Sequence, residues 1–109
     1  MANIYKNAKA DLTANTATTV YTVPSDSRSI VKSIIVSEDS GNADTITLTI
    51  TDASSNVFSL FKTKAVSANA TVELLSQPLV LQESEVLKAT AATANRLHIV
   101  VSVLEINRS

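Results

Sequence analysis

The apolar residues of this chain recur with a period of two, and no stretch carries the period of an amphipathic helix. In "DTITLTITD" (44–52), Ile46, Leu48 and Ile50 alternate with Thr45, Thr47, Thr49 and Thr51. Successive side chains on a strand point to opposite faces, so this run is a strand with one apolar face and one threonine face. Turn-forming clusters interrupt the pattern at short intervals: "PSDSR" (24–28), "EDSGNAD" (38–44), "DASSN" (52–56), "SAN" (67–69), "SQP" (76–78), "QES" (82–84) and "TAN" (93–95). The β-rich runs between them are read as strands at 17–23, 29–37, 44–51, 57–62, 70–75, 86–91 and 97–106, with an eighth candidate at 3–9. The Ala-rich "KATAATAN" (88–95) is too short to hold a free helix and is read as a strand end and a turn.

Seven to eight short strands without intervening helices imply an all-β fold, an antiparallel β-sandwich of jelly-roll-like or Ig-like type. The chain of 109 residues suffices for one domain, expected at 13–109, with 1–12 as a polar amino-terminal arm that orders on a partner. Hydrophobic residues make up 45% of the sequence but aromatics only 4%, so the core must be Val, Ile, Leu and Ala between closely packed sheets. With a single glycine, the tight turns must place Asn, Asp and Ser in positive-φ positions.

The net charge of -1 supplies no global basic field, which disfavours nucleic acid as a partner. The absence of cysteine excludes thiolate-held metal and thiol redox chemistry. The opening "MANIYKNAKAD" carries charges where a secretion signal needs an apolar run, and no segment reaches membrane-spanning length. A soluble protein made in the cytoplasm, with no membrane partner, is the expectation.

Residues for chemistry are scarce. The sole histidine, His98, lies in the most apolar run with no Asp, Ser or Cys beside it in sequence, and a structural role is expected. Phosphate loops, zinc spacings and nucleophile elbows are missing, so the chain is not expected to be an enzyme or to take a cofactor. Glu38, Asp39 and Asp44 are hard oxygen donors of the kind Ca²⁺ takes. Their spacing matches no calcium loop, and turns select Asp and Asn for backbone hydrogen bonding, so the turn reading is preferred. Lys6, Lys9, Arg28, Lys32, Lys62 and Lys64 are spread along the chain and are read as solvated, unless some converge against an acidic partner.

Two runs break the alternation. "SIIVS" (33–37) and "LHIVVSVLEI" (97–106) are apolar on both parities, as in a strand covered on both faces or one that keeps an outer face for a partner. Val100, Leu104 and Ile106 share the parity opposite Ile99, Val101 and Val103. They are candidate partner contacts, together with Tyr5, Lys6 and Lys9 of the arm, where Tyr5 is the amphipathic anchor.

"TATTVYTVPSDSRSIVKSIIVSEDSGNADTITLTITD" (16–52) resembles small structural proteins of tailed bacteriophages. The pattern is a Thr-rich approach to Tyr21-Thr22-Val23-Pro24, a polar turn, the strand from Ser29 to Val36, a polar loop and an alternating strand. A second part (72–106) fits as well, with Leu79-Val80-Leu81 before a polar turn and a final strand carrying Ser102, Leu104, Glu105 and Ile106. At 82–85 "QESE" stands where "QEGD" is typical of such proteins. The resemblance implies a virion location and a capsid decoration or cement protein that binds the major capsid protein or another virion protein. It would act as a homo-oligomer, a trimer or dimer, assembled in the host cytoplasm. A neck, collar, tail or fibre-associated component is the alternative within the same class. A carbohydrate- or receptor-binding β-module is the alternative outside it, and would present Phe58 and Phe61 together on one surface.

Overall fold

The computed structural model describes residues 2–107. Nine strands build two antiparallel sheets. They are β1 (Ala2–Leu12), β2 (Thr18–Thr22), β3 (Ser27–Glu38), β4 (Asp44–Thr51), β5 (Val57–Val66), β6 (Thr71–Glu73), β7 (Leu79–Leu81), β8 (Val86–Ala91) and β9 (Leu97–Asn107). The first sheet has the order β1-β9-β3-β6, with β7 also pairing β3, and the second the order β2-β8-β4-β5. The architecture is the expected β-sandwich, and the described residues contain no helix.

The alternation dictates the layers. Ile46, Leu48 and Ile50 of β4, Leu87, Ala89 and Ala91 of β8, and Leu97, Ile99, Val101 and Val103 of β9 all turn inward and are buried. Val31, Ile34 and Val36 of β3 complete the opposite wall. A register shift between Val31 and Ser33 inserts Lys32 as an extra residue. It lies where the partner of β3 changes from β7, opposite Ser29–Val31, to β6, opposite Ile35–Ser37. A bulge there lets one long strand serve two short neighbours.

The turns use the residues that a glycine-poor chain leaves for them. Positive φ falls on Ser55, Asn69, Ser84 and Asn95, besides Thr63 and Gly41. Pro24 follows the last sandwich residue of the β2 run, and the Ser27 amide closes the turn on the Pro24 carbonyl at 3.1 Å. Proline drives the preceding Val23 into the extended form, ending the strand where the motif places it.

The amino-terminal stretch, expected as an arm with a candidate strand at 3–9, forms β1 over residues 2–12, paired residue for residue with β9 from Ala2↔Asn107 to Leu12↔Leu97 without a shift. Ala8, Ala10 and Leu12 supply an inward parity, but alanine is a weak signal and Lys6 falls on the same parity. The strand tolerates that lysine because Glu105, diagonally placed on β9 opposite Ile4, lies 3.3 Å from the ammonium.

Candidate interaction surface

The two outer faces of the sandwich differ in chemistry. On β9 the even residues His98, Val100, Ser102, Leu104 and Ile106 point outward, opposite the buried odd ones. The pairing register lays these side chains into rows across the sheet. One row runs Tyr5–Leu104–Ile30–Val80 over β1, β9, β3 and β7. Another runs Lys9–Val100–Ile35. Tyr5 is 74% exposed, Val80 59%, and Val100 and Ile35 37% each. Between the rows lies a depression lined by Tyr5, Lys6, Asn7, Lys32, Ser102 and Val103.

The outer face of the second sheet is polar along β4 and β8, with the exposed Val57 of β5 at its end, opposite Thr51. Thr47 lies opposite Thr90, and Thr49 lies between Lys88 and Ser59. Thr47 Oγ1 accepts a hydrogen bond from the Thr63 amide at 3.1 Å. Scattered aliphatics on a surface need no explanation, but rows of them across one face are the kind of patch that partners cover.

Five of the six residues expected as partner contacts share this apolar face: Tyr5, Lys9, Val100, Leu104 and Ile106. Lys6 does not. It turns to the inner side and ends at Glu105, whose side chain is buried. There Tyr21, the aromatic residue of the Tyr-Thr-Val-Pro element, crosses from β2 of the second sheet and donates to Glu105 Oε2 of the first at 2.5 Å. The Ser29 hydroxyl lies 2.5 Å from the same phenol oxygen. Burial first, then the hydrogen bond to Glu105 and its negative charge, push the Tyr21 phenol far above its ordinary pKa, against a smaller opposite pull from Ser29. The phenol therefore remains a donor at any working pH and bolts the two sheets together.

His98 is less isolated than the sequence suggests. Its Nδ1 lies 2.5 Å from Asp11 of β1, and its Nε2 lies 3.0 Å from Asp39 of the β3–β4 loop. The hydrogen bond to Asp11 raises its pKa most, burial opposes this, and the hydrogen bond and charge of Asp39 raise it further. With a carboxylate on each ring nitrogen, the imidazole is tied at both ends and clips β1 to the loop, most strongly when protonated.

The acidic cluster disperses. Glu38, at the end of β3, accepts from the amides of Ser40 (2.9 Å), Gly41 (3.1 Å) and Asn69 (3.0 Å), and from the Ser40 hydroxyl. Burial alone would raise its pKa; the hydrogen bonds from Ser40, Asn69 and Gly41 outweigh it and bring the carboxyl down to about 2. Asp44 accepts from the Thr93 amide at 3.0 Å, and Asp39 is taken by His98. The three carboxylates thus have separate partners: Glu38 shapes the β3–β4 loop, Asp39 ties that loop to His98, and Asp44 holds the β8–β9 turn. The two phenylalanines also part: Phe58 is 56% exposed, whereas Phe61 packs against the core.

These features define a two-sheet β-sandwich with one apolar outer face. No protein-family model matches the chain, and no curated protein does. Solved structures similar to it include a chain from the disulfide-linked pili of Bacillus endospore appendages, with a TM-score of 0.59 at 12% identity over 98% of this chain and 89% of that one. A chain of the cyanophage Pam1 capsid asymmetric unit matches with a TM-score of 0.43 at 21% identity, over 94% of this chain and 84% of that one. A chain of infectious bursal disease virus, Gt strain, matches with a TM-score of 0.47 at 8% identity, over 98% of this chain and 30% of that one. The likeness to the pilus chain is one of fold alone.

Proposed function

We propose that this protein is a non-catalytic virion structural protein of a tailed bacteriophage, a capsid decoration subunit that binds the outer shell and stabilises it. The observation that carries the reading is the contrast between the two outer faces: aliphatic rows through Tyr5, Leu104 and Val100 on one sheet, threonine and lysine on the other. The sequence resemblance over 16–52 and 72–106 supports the virion class. The mechanism is burial of apolar surface against the major capsid protein, which spreads load between neighbouring shell subunits. The pili whose subunit shares the fold are disulfide-linked; this sequence holds no cysteine, so that linkage is not open to it.

The test is binding to shells of the parent phage that lack this protein. Wild-type protein should co-sediment with them, and Val100→Lys with Leu104→Lys should abolish binding while the protein stays folded. Thr49→Lys on the opposite face should bind normally. Equal binding by all three proteins, or none by the wild type, overturns the reading. A neck or tail component would bind purified portal or tail complexes in place of the shell.

A further inference from the structure

A sheet that does not close leaves main-chain edges, and proteins guard such edges by shortness, bulges or cover. Three of the four edges here are guarded. The edge beyond β3 is made of β6 and β7, each three residues long. β2 has five residues and a register shift. β5 is longer but is broken by two shifts and by Thr63 at positive φ. β1 is the exception: eleven residues, paired to β9 without a break, with no strand on its other side. Among the described residues, no hydrogen bond reaches that free edge between Asn3 and Ala10. The strand's amino-terminal half also exposes one large apolar side chain on each face, Ile4 at 50% and Tyr5 at 74%.

We propose that β1 is a self-association edge, pairing antiparallel with β1 of a second copy about a twofold axis through Asn7. Antiparallel pairing of a strand with itself places position i opposite a partner position whose sum with i is constant, and the hydrogen-bond pattern requires that sum to be even. The register centred on Asn7 pairs all eleven residues, and no other register does. Its face pairs are complementary. Tyr5 meets Lys9 of the other copy, ring against ammonium, and Asn3 meets Asp11. On the inner side Ile4 meets Ala10 and Lys6 meets Ala8. Moving the axis one residue to Lys6 sets that lysine against its own copy, a like-charge pair that disfavours the shift. The dimer joins the two first sheets into one, with about one main-chain hydrogen bond per paired residue across the seam. Its apolar rows run on from copy to copy through Tyr5 and Lys9. The inference stands on the edge and its register and holds whether or not the outer face binds a capsid.

Sedimentation equilibrium of the purified wild-type chain should show a monomer–dimer equilibrium. Tyr5→Lys, which sets two lysines opposite each other at each end of the seam, should raise the dimer dissociation constant tenfold or more while the thermal melt of the monomer is kept. A cysteine-free chain allows a direct test of register. Asn7→Cys with a short bis-methanethiosulfonate linker should give a covalent dimer, and Ser54→Cys at the far hairpin should not. A wild type that remains monomeric to near-millimolar concentration overturns the proposal. So does a dimer that Tyr5→Lys leaves intact, or one that is linked through Ser54→Cys and not through Asn7→Cys.

Discussion

Replacing Tyr21 with Phe removes one oxygen atom from the space between the two sheets and nothing from the packing around the ring. Tyr21 is 6% exposed, and Glu105, which accepts its hydrogen bond at 2.5 Å, is 7% exposed. In Tyr21→Phe the carboxylate keeps Lys6 at 3.3 Å but loses its closest neutral donor, and Ser29 loses its partner in the same stroke. A hydrogen bond to a charged group contributes about 1.5–3 kcal/mol, and a buried acceptor left under-satisfied sits at the upper part of that range. The expected loss is therefore about 2–3 kcal/mol, and a domain of this size converts each kcal/mol into a fall of about 4–8 °C in Tm, roughly 10–20 °C in all. Differential scanning calorimetry and urea unfolding at neutral pH measure it. Adding Glu105→Leu to Tyr21→Phe removes the buried carboxylate that has lost its phenol donor and should recover at least half of the loss, since the cost lies in that under-satisfied acceptor. A Tyr21→Phe protein within about 0.5 kcal/mol of wild type, the range of an ordinary surface change, would refute the bolt between the sheets.

Glu38 gives a pH dependence. Its carboxyl falls from 4.5 to about 2 on folding, so its contribution to stability is complete above pH 4.5 and is lost as pH drops from 4.5 toward 2. Glu38→Gln should flatten the fall of Tm across that window, and an unchanged slope contradicts the loop assignment. His98 runs the other way. Its raised pKa makes the clip to Asp11 and Asp39 fully present below pH 6.5 and weaker as pH rises through the folded value. An NMR titration should place the His98 midpoint above 6.5, and a midpoint at or below 6.5 contradicts the doubly bonded imidazole. Ser84 holds φ at 65° in the turn where resembling proteins carry glycine. Ser84→Gly should stabilise the protein by about 0.5–1 kcal/mol, and a loss of stability in denaturant melts would contradict the turn geometry.

The layers of this fold are written in short-range pattern. The parity of Ile46, Leu48 and Ile50, and of Ile99, Val101 and Val103, already separates the core face from the other, and the structure buries all six. The turn chemistry is legible too, because a chain with one glycine must bend at residues such as Asn69, Ser84 and Asn95. What pattern cannot carry is pairing across the chain. Tyr21 meets Glu105 at a separation of 84 residues, and His98 meets Asp11 at 87 and Asp39 at 59. The same blindness affects β1. With Lys6 on its inner parity, 3–9 gives only a weak strand signal inside a polar stretch, and the distant Glu105 supplies the partner that the lysine needs in a strand. The short β7 is hidden for a related reason, since three residues show no period of their own. Of the apolar outer face, the parity of Val100, Leu104 and Ile106 and the two-sided run around Ile35 were legible, whereas Ile30 and Val80 join it only through register.

The central claim is that the outer face of the β1-β9-β3 sheet docks on a capsid shell. A reconstruction of the parent virion that assigns density to this chain tests it most directly. The account expects copies distributed over the shell, with Val100, Leu104 and Tyr5 buried against the major capsid protein and the threonine face of β4 turned to solvent. Density confined to the portal vertex or tail, or a shell-bound copy seated on its threonine face, would contradict it.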